Sequence, residues 1–163
     1  MLFRSTVIAP HRFGLRRFAR WTLSATARLA HVARNRDLLV RAVNPAGRDG
    51  AFVSTISVPK HNRHLRHRRS RFEALPPTVF HDAATQLANV VAHLYCDMSE
   101  KEWVALGEMD HHGFAPALPG IPIEAMVHMT QSSKPGRWID IEFWQRGVRV
   151  AMTGGRLALP AAA

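Results

Sequence analysis

Residues 121–152 read IPIEAMVHMTQSSKPGRWIDIEFWQRGVRVAM, and this stretch decides the fold class. Ile121, Ile123, Ala125, Val127 and Met129 alternate with Pro122, Glu124, Met126, His128 and Thr130. Ile139, Ile141 and Phe143 alternate with Trp138, Asp140, Glu142 and Trp144. Successive side chains of a strand point to opposite faces, so a period of two gives each run one core face and one outward face. Turn residues at 132–136 and at Gln145-Arg146-Gly147 separate these runs from each other and from Val148, Val150 and Met152, with Gly154-Gly155 expected to end the last strand. Alternating runs joined by short turns predict a three-strand antiparallel meander.

Upstream, Pro76-Pro77 opens a helix whose Phe80, Ala84, Leu87, Val91 and Leu94 recur at helical spacing. Proline is tolerated there because the first-turn amides have no partner inside a helix. Ser99 and Glu102 have the spacing of a capping box, which predicts a second short helix carrying Trp103 and Leu106. Residues 111–120 read as a Pro/Gly-rich loop. Leu38 to Val43 and Ala51 to Val58 are β-branched runs around Asn44-Pro45-Ala46-Gly47-Arg48-Asp49-Gly50, which predicts a β-hairpin with a long loop. The expected fold is α+β: a β-hairpin, one or two helices and a three-strand antiparallel meander, preceded by a basic amphipathic N-terminal helix.

Charge divides the 163-residue chain unevenly. Residues 1–72 hold fifteen arginines and Lys60 against Asp37 and Asp49, a surplus of fourteen positive charges. The remaining 91 residues hold six basic and ten acidic side chains, so the chain as a whole is +10. A charge of this sign and concentration points to a polyanionic partner. Arginine outnumbers lysine 19 to 3, which fits guanidinium recognition of phosphate and equally fits a GC-rich genome.

The expected division is a basic arm over 1–36, an α+β domain over 37–155 and a loose tail over 156–163. The arm carries no acid before Asp37 and includes Ser5, Thr6, Ser24 and Thr26, a composition compatible with a mitochondrial transit peptide. Phe18, Trp21, Ala25, Leu29 and Val32 make an apolar helical stripe, with Arg16, Arg20 and Arg34 opposite. An ordinary surface helix with a solvated basic face reads the same way. No apolar run approaches the roughly 20 residues of a membrane span, so membrane contact would be peripheral.

Within the domain, Lys60 to Arg71 contains one apolar residue, Leu65, in twelve. Such a segment buries nothing. It is either a solvated linker or a binding surface for phosphates, which arginine clusters engage with release of counterions. The residues expected on RNA are Lys60, Arg63, His64, Arg66, His67, Arg68, Arg69 and Arg71, joined by Arg16, Arg17 and Arg20 of the arm. Trp138 and Trp144 share the polar face of one strand and are expected either at a protein contact or under a covering segment.

Motifs for chemistry are sparse. Phosphate-loop, dinucleotide-binding and serine-elbow patterns are missing. His93-x-x-Cys96 with His111-His112 offers zinc-type ligands, but adjacent histidines rarely share one metal, and no metal or other cofactor is expected. Glu108, Asp110, His111 and His112 could form an acid/base cluster, and Cys96, the only cysteine, a nucleophile; polar loops produce such runs without chemistry. The sequence therefore predicts a non-catalytic structural subunit of the mitochondrial ribosome in the matrix, with rRNA and neighbouring proteins as partners. The alternative is an accessory subunit of an inner-membrane complex, its basic helix on anionic lipid; a small mitochondrial enzyme is a third reading.

Overall fold

The computed structural model describes residues 27–47, 50–66, 73–96, 98–131 and 137–158. These form one antiparallel sheet of six strands wrapped around one long helix. The strands are β1 (Val40–Pro45), β2 (Ala51–Ile56), β3 (Leu106–Gly113), β4 (Ile123–Gln131), β5 (Arg137–Gln145) and β6 (Val148–Leu157), and helix α1 is Pro77–Tyr95. The order across the sheet is β1-β2-β4-β5-β6-β3. The chain makes the β1–β2 pair, crosses the sheet as α1, lays β3 along the far edge and fills the middle with β4, β5 and β6.

This corrects the expected architecture of a hairpin beside a separate three-strand meander. β2 pairs with β4 from Ala51 opposite His128 to Ile56 opposite Ile123, which fuses the two units into one sheet. The sixth strand comes from residues read as part of a helix and a loop. Leu106–Gly113 has only Leu106 and Met109 as apolar side chains, because an edge strand has one neighbour and needs no alternating core face. The second short helix does not form. Ser99 N–H does donate to Glu102 Oε2 at 3.1 Å, but the chain runs on as a turn and an extended segment into β3.

The core lies between α1 and the concave sheet face. Val79, Ala83, Ala84, Leu87, Ala88, Val90 and Val91 are fully buried, as are Ile123, Val127, Ile139, Ile141 and Phe143 facing them. Phe80 meets the Phe143 ring edge-on at 5.1 Å between centroids. β6 does not stop at Gly154-Gly155 but continues to Leu157, itself fully buried. Both glycines are close-approach positions. A Cβ on Gly154 would lie 2.8 Å from Asp140 Oδ1 and 3.2 Å from the Trp138 ring, and one on Gly155 would strike Leu106. Arg146 and Gly147, at φ 52° and 75°, form the tight β5–β6 turn, whose left-handed residues match the twist of the strands.

The amphipathic N-terminal helix falls largely on residues 1–26, outside the described residues. Residues 27–29 make a helical turn, with Ala27, Leu29 and Ala30 buried in the core.

Two polar side chains of α1 bind flanking backbone. Gln86 Oε1 accepts from Leu39 N–H at 2.8 Å, while its amide donates to Asp37 O at 2.9 Å. Asn89 accepts from Val104 N–H at 2.7 Å and donates to Val104 O at 3.0 Å. Each amide acts as a surrogate strand partner for chain that would otherwise bury unpaired backbone. Both fix walls beside the helix, and the site lies there.

Candidate functional site

One side of α1 is not pressed into the core. Thr78, His81, Asp82 and Thr85 recur at helical spacing along it, and over them lies the 3-10 turn Arg63–Leu65. That turn is held by Asn62, fully buried, whose Oδ1 accepts from His64 N–H at 3.0 Å and whose amide donates to Arg36 O at 3.2 Å. Two adjoining shallow depressions, the first almost flat, share Arg63, Asp82 and Thr85 and so make one open cleft. The larger is walled on its far side by residues 30–34 and Asp37, with Arg66, Asn89 and Trp103 completing it.

Asp82, the only acid in α1, sits where the two hollows join. Its side chain is 14% exposed. Arg63 Nη2 lies 3.1 Å and His64 Nε2 3.0 Å from the same oxygen, Oδ2. His64 Nε2 is also 3.4 Å from Arg63 Nε, but one ring nitrogen cannot donate to the first and accept from the second. The shorter, charge-assisted contact prevails, so Nε2–H donates to Asp82. A carboxylate fixed by two partners, partly shielded and open to a cleft, has the form of a general base or a nucleophile.

Beside it, His81 packs edge-on against His111 at 5.0 Å, and His111 stacks near Phe80 while its Nδ1 lies 3.0 Å from Thr153 Oγ1. Burial, and after it the neighbouring His81 and His112, holds His111 below the usual imidazole value.

The structure redistributes the residues expected at an RNA surface. Arg63, His64 and Arg66 line the cleft, and two of them are turned onto Asp82. Lys60 is exposed outside it. His67, Arg68, Arg69 and Arg71, with Arg16, Arg17 and Arg20, lie outside the described residues. Trp138 and Trp144 are half-buried on the convex sheet face, their indole N–H groups donating to Asp140 Oδ1 at 2.8 Å and Glu142 Oε2 at 3.2 Å. The zinc-type residues are dispersed: His93 faces His31, Cys96 touches Met129 and Arg137, and His111 sits in β3. Among the described residues no group of three or more His, Cys, Asp or Glu is arranged to hold a metal, and no helix is long and apolar enough to cross a membrane.

Asp82 was missed from the sequence. Its signal was a single carboxylate in an otherwise acid-free helix, on the side opposite the apolar stripe. The charge split drew attention instead to its partners.

No protein-family model and no curated protein matches this sequence. Solved structures do. The PaaI protein of the phenylacetic acid degradation operon of E. coli covers 84% of this chain and 89% of its own, with a TM-score of 0.54 and 14% identity. Cj0977, a sigma28-regulated virulence protein of Campylobacter jejuni, covers 86% and 98% with a TM-score of 0.58 and 9% identity. RHA08564, a thioesterase superfamily protein, covers 74% of this chain and 55% of its own at a TM-score of 0.53 and 9% identity. The architecture is the hotdog fold. At these identities the likeness speaks to the fold alone.

That finding corrects the functional expectation. The chain does not carry the small hairpin-and-meander domain inferred for a ribosomal subunit, and its fold is shared with thioesterase-superfamily proteins. The non-catalytic ribosomal role, the inner-membrane accessory role, rRNA as partner and the absence of enzymatic activity all give way. The physical reason lies in the cleft: part of the positive charge read as a phosphate-facing surface is turned inward and paired with a carboxylate.

Proposed function

We propose that this protein hydrolyses acyl thioesters borne on a phosphate-containing carrier of the coenzyme A type. The observation that carries this is Asp82, a shielded carboxylate held by Arg63 and His64 at the middle of the cleft, on a fold it shares with thioesterase-superfamily proteins. Asp82 accepts a proton from water as the water oxygen bonds to the thioester carbonyl carbon. The tetrahedral intermediate then collapses, the C–S bond breaks, and the departing sulfur takes the electron pair and recovers the proton from Asp82. His64 orients the carboxylate through its Nε2–H.

Carrier recognition is supported by the rest of the cleft. Arg34 and Arg66 line it together, and guanidinium groups engage phosphates in bidentate fashion. Trp103, 67% exposed at the same rim, offers a flat ring to a nucleobase.

The test is thiol release from acetyl-, phenylacetyl- and long-chain acyl-CoA by the purified full chain, beside the Asp82→Asn variant. Removing a general base costs about 10²- to 10⁴-fold in rate, so D82N is expected to lose at least about a hundredfold in kcat with its melting temperature kept. Absence of turnover on every thioester by the wild type, or full activity in D82N, overturns the reading. The mitochondrial address of the N-terminal arm stands as a separate proposal, tested by import of the full chain into isolated mitochondria; since residues 27–36 pack on the domain, any cleavage is expected before Ala27.

A further inference from the structure

The far wall of the cleft is a short strap, residues 27–37, laid against the C-terminal half of α1. Three of its ties are independent of pH near neutrality. Gln86 binds the carbonyl of Asp37, Asn62 that of Arg36, and Ala27, Leu29 and Ala30 insert into the core. Between these anchors the strap turns sharply at His31, whose φ of 53° is left-handed and uncommon for a side chain with a Cβ. The turn aims the His31 ring at His93 of α1, with Nε2 to Nε2 at 2.9 Å and ring centroids 5.1 Å apart.

The protons in this pair can be placed. His93 Nδ1 lies 3.3 Å from the carbonyl oxygen of Met98, which can only accept, so Nδ1 carries hydrogen. Neutral His93 then has a lone pair on Nε2, and His31 must donate from its own Nε2–H. A proton on the Nδ1 of His31 leaves this bond intact. A single proton on the Nε2 of His93 also leaves a bond, because neutral His31 can turn its Nε2 lone pair toward it; only when both rings are charged do two N–H groups stand face to face and the bond is lost.

We propose that His31 and His93 form a proton-sensitive clasp that holds the strap, and with it one wall of the cleft, closed at neutral pH and releases it when both rings are protonated. The charged groups around the pair set where this occurs. On the strap itself Arg28 is paired with Glu100 at 3.1 Å. From the segment after α1, Glu100 and Glu102 favour charge on His93, as does the Met98 carbonyl. Burial opposes it most strongly, and His31 adds to that opposition, so His93 titrates below the ordinary 6.5. The unfolded chain therefore takes up this proton first. The clasp contributes fully above about 6.5, and its contribution falls as pH drops from there through the folded value.

As regulation of hydrolysis the clasp rests on the reading of the cleft as a thioesterase site; as a latch it does not. Two measurements on the full chain need no turnover. Nitrogen-15 shifts at pH 7.5 are expected to show His93 neutral with hydrogen on Nδ1; a charged ring, or hydrogen on Nε2, overturns the clasp. Amide hydrogen exchange over residues 27–34, corrected for intrinsic rates, is expected to lose about fivefold protection between pH 7.5 and 5.5, the worth of one ordinary hydrogen bond. His31→Ala is expected to show the low protection at both pH values, and His31→Asn, which keeps a donor, to restore part of it at pH 7.5. Unchanged wild-type protection across this range, or full protection in H31A, also overturns the clasp. If the protein turns over thioesters, KM is expected to rise on acidification in wild type and to be uniformly high in H31A, with kcat following Asp82 alone. A protein with no turnover that still passes the shift and exchange measurements would sink the enzyme reading and leave the clasp standing.

Discussion

The two sides of α1 do different work with the same backbone. The side facing the sheet carries Val79, Ala83, Leu87, Val90 and Val91, all fully buried against strands that supply Ile139, Ile141 and Phe143. The side facing the cleft carries Thr78, His81, Asp82 and Thr85, with the 3-10 turn and the strap as walls. Helical periodicity separates them, so stability can be altered on one side and chemistry on the other with little exchange between them. That separation allows a carboxylate to be held in a shielded position without a cost to the core that would unfold the chain.

Substitutions on each side test how complete the separation is. The largest expected effect is on chemistry: Asp82→Asn should remove at least about a hundredfold of kcat while the thermal midpoint stays close to wild type. A fall in midpoint as large as that of a core variant would show that Asp82 is structural and break the contrast. Next is the core side, where Leu87→Ala should cost about 2–5 kcal/mol of unfolding free energy by urea titration, from lost transfer energy plus the cavity left behind. Activity in the surviving folded fraction should be retained, and loss of kcat there would show that the two sides are coupled.

Gln86→Leu sharpens the boundary between them. It leaves the Leu39 amide without its 2.8 Å acceptor and should cost about 1–3 kcal/mol, with faster exchange at Leu39 as the local signature. The smallest effect belongs to Arg28→Ala, which removes an ion pair whose side chains are 64% and 56% exposed. Such pairs contribute under about 1 kcal/mol. A larger loss would mean that the strap depends on this tie more than on the histidine pair.

Much of the sheet was legible and its assembly was not. The alternation at 139–143 marks a strand because every second residue enters the core, and the helix over 77–95 shows in the spacing of Phe80, Leu87 and Val91. Leu106–Gly113 gave no such sign: as an edge strand it answers to one neighbour, and its eight residues contain Glu108, Asp110, His111 and His112. Gly154-Gly155 resembled a strand end because glycine usually marks one, whereas here both sit mid-strand to let Trp138, Asp140 and Leu106 approach the backbone. The cleft was half visible. Arg63, His64 and Arg66 stood out as cations, but the carboxylate that redefines two of them lies 18 and 19 residues further along the chain.

By itself the sequence determined the local elements that periodicity and turn chemistry control: a β1–β2 connection punctuated by Pro45, Gly47 and Gly50, one long helix begun by proline, and alternating strands after residue 121. It also determined that positive charge gathers before residue 73. Only the tertiary structure decided that β2 lies beside β4, that residues 106–113 close the sheet, and that Arg63 and His64 face Asp82. Pairing and burial depend on which distant segments meet, and local patterns carry almost no information about that. An arginine reads the same whether its partner is a phosphate or a carboxylate from another part of the chain.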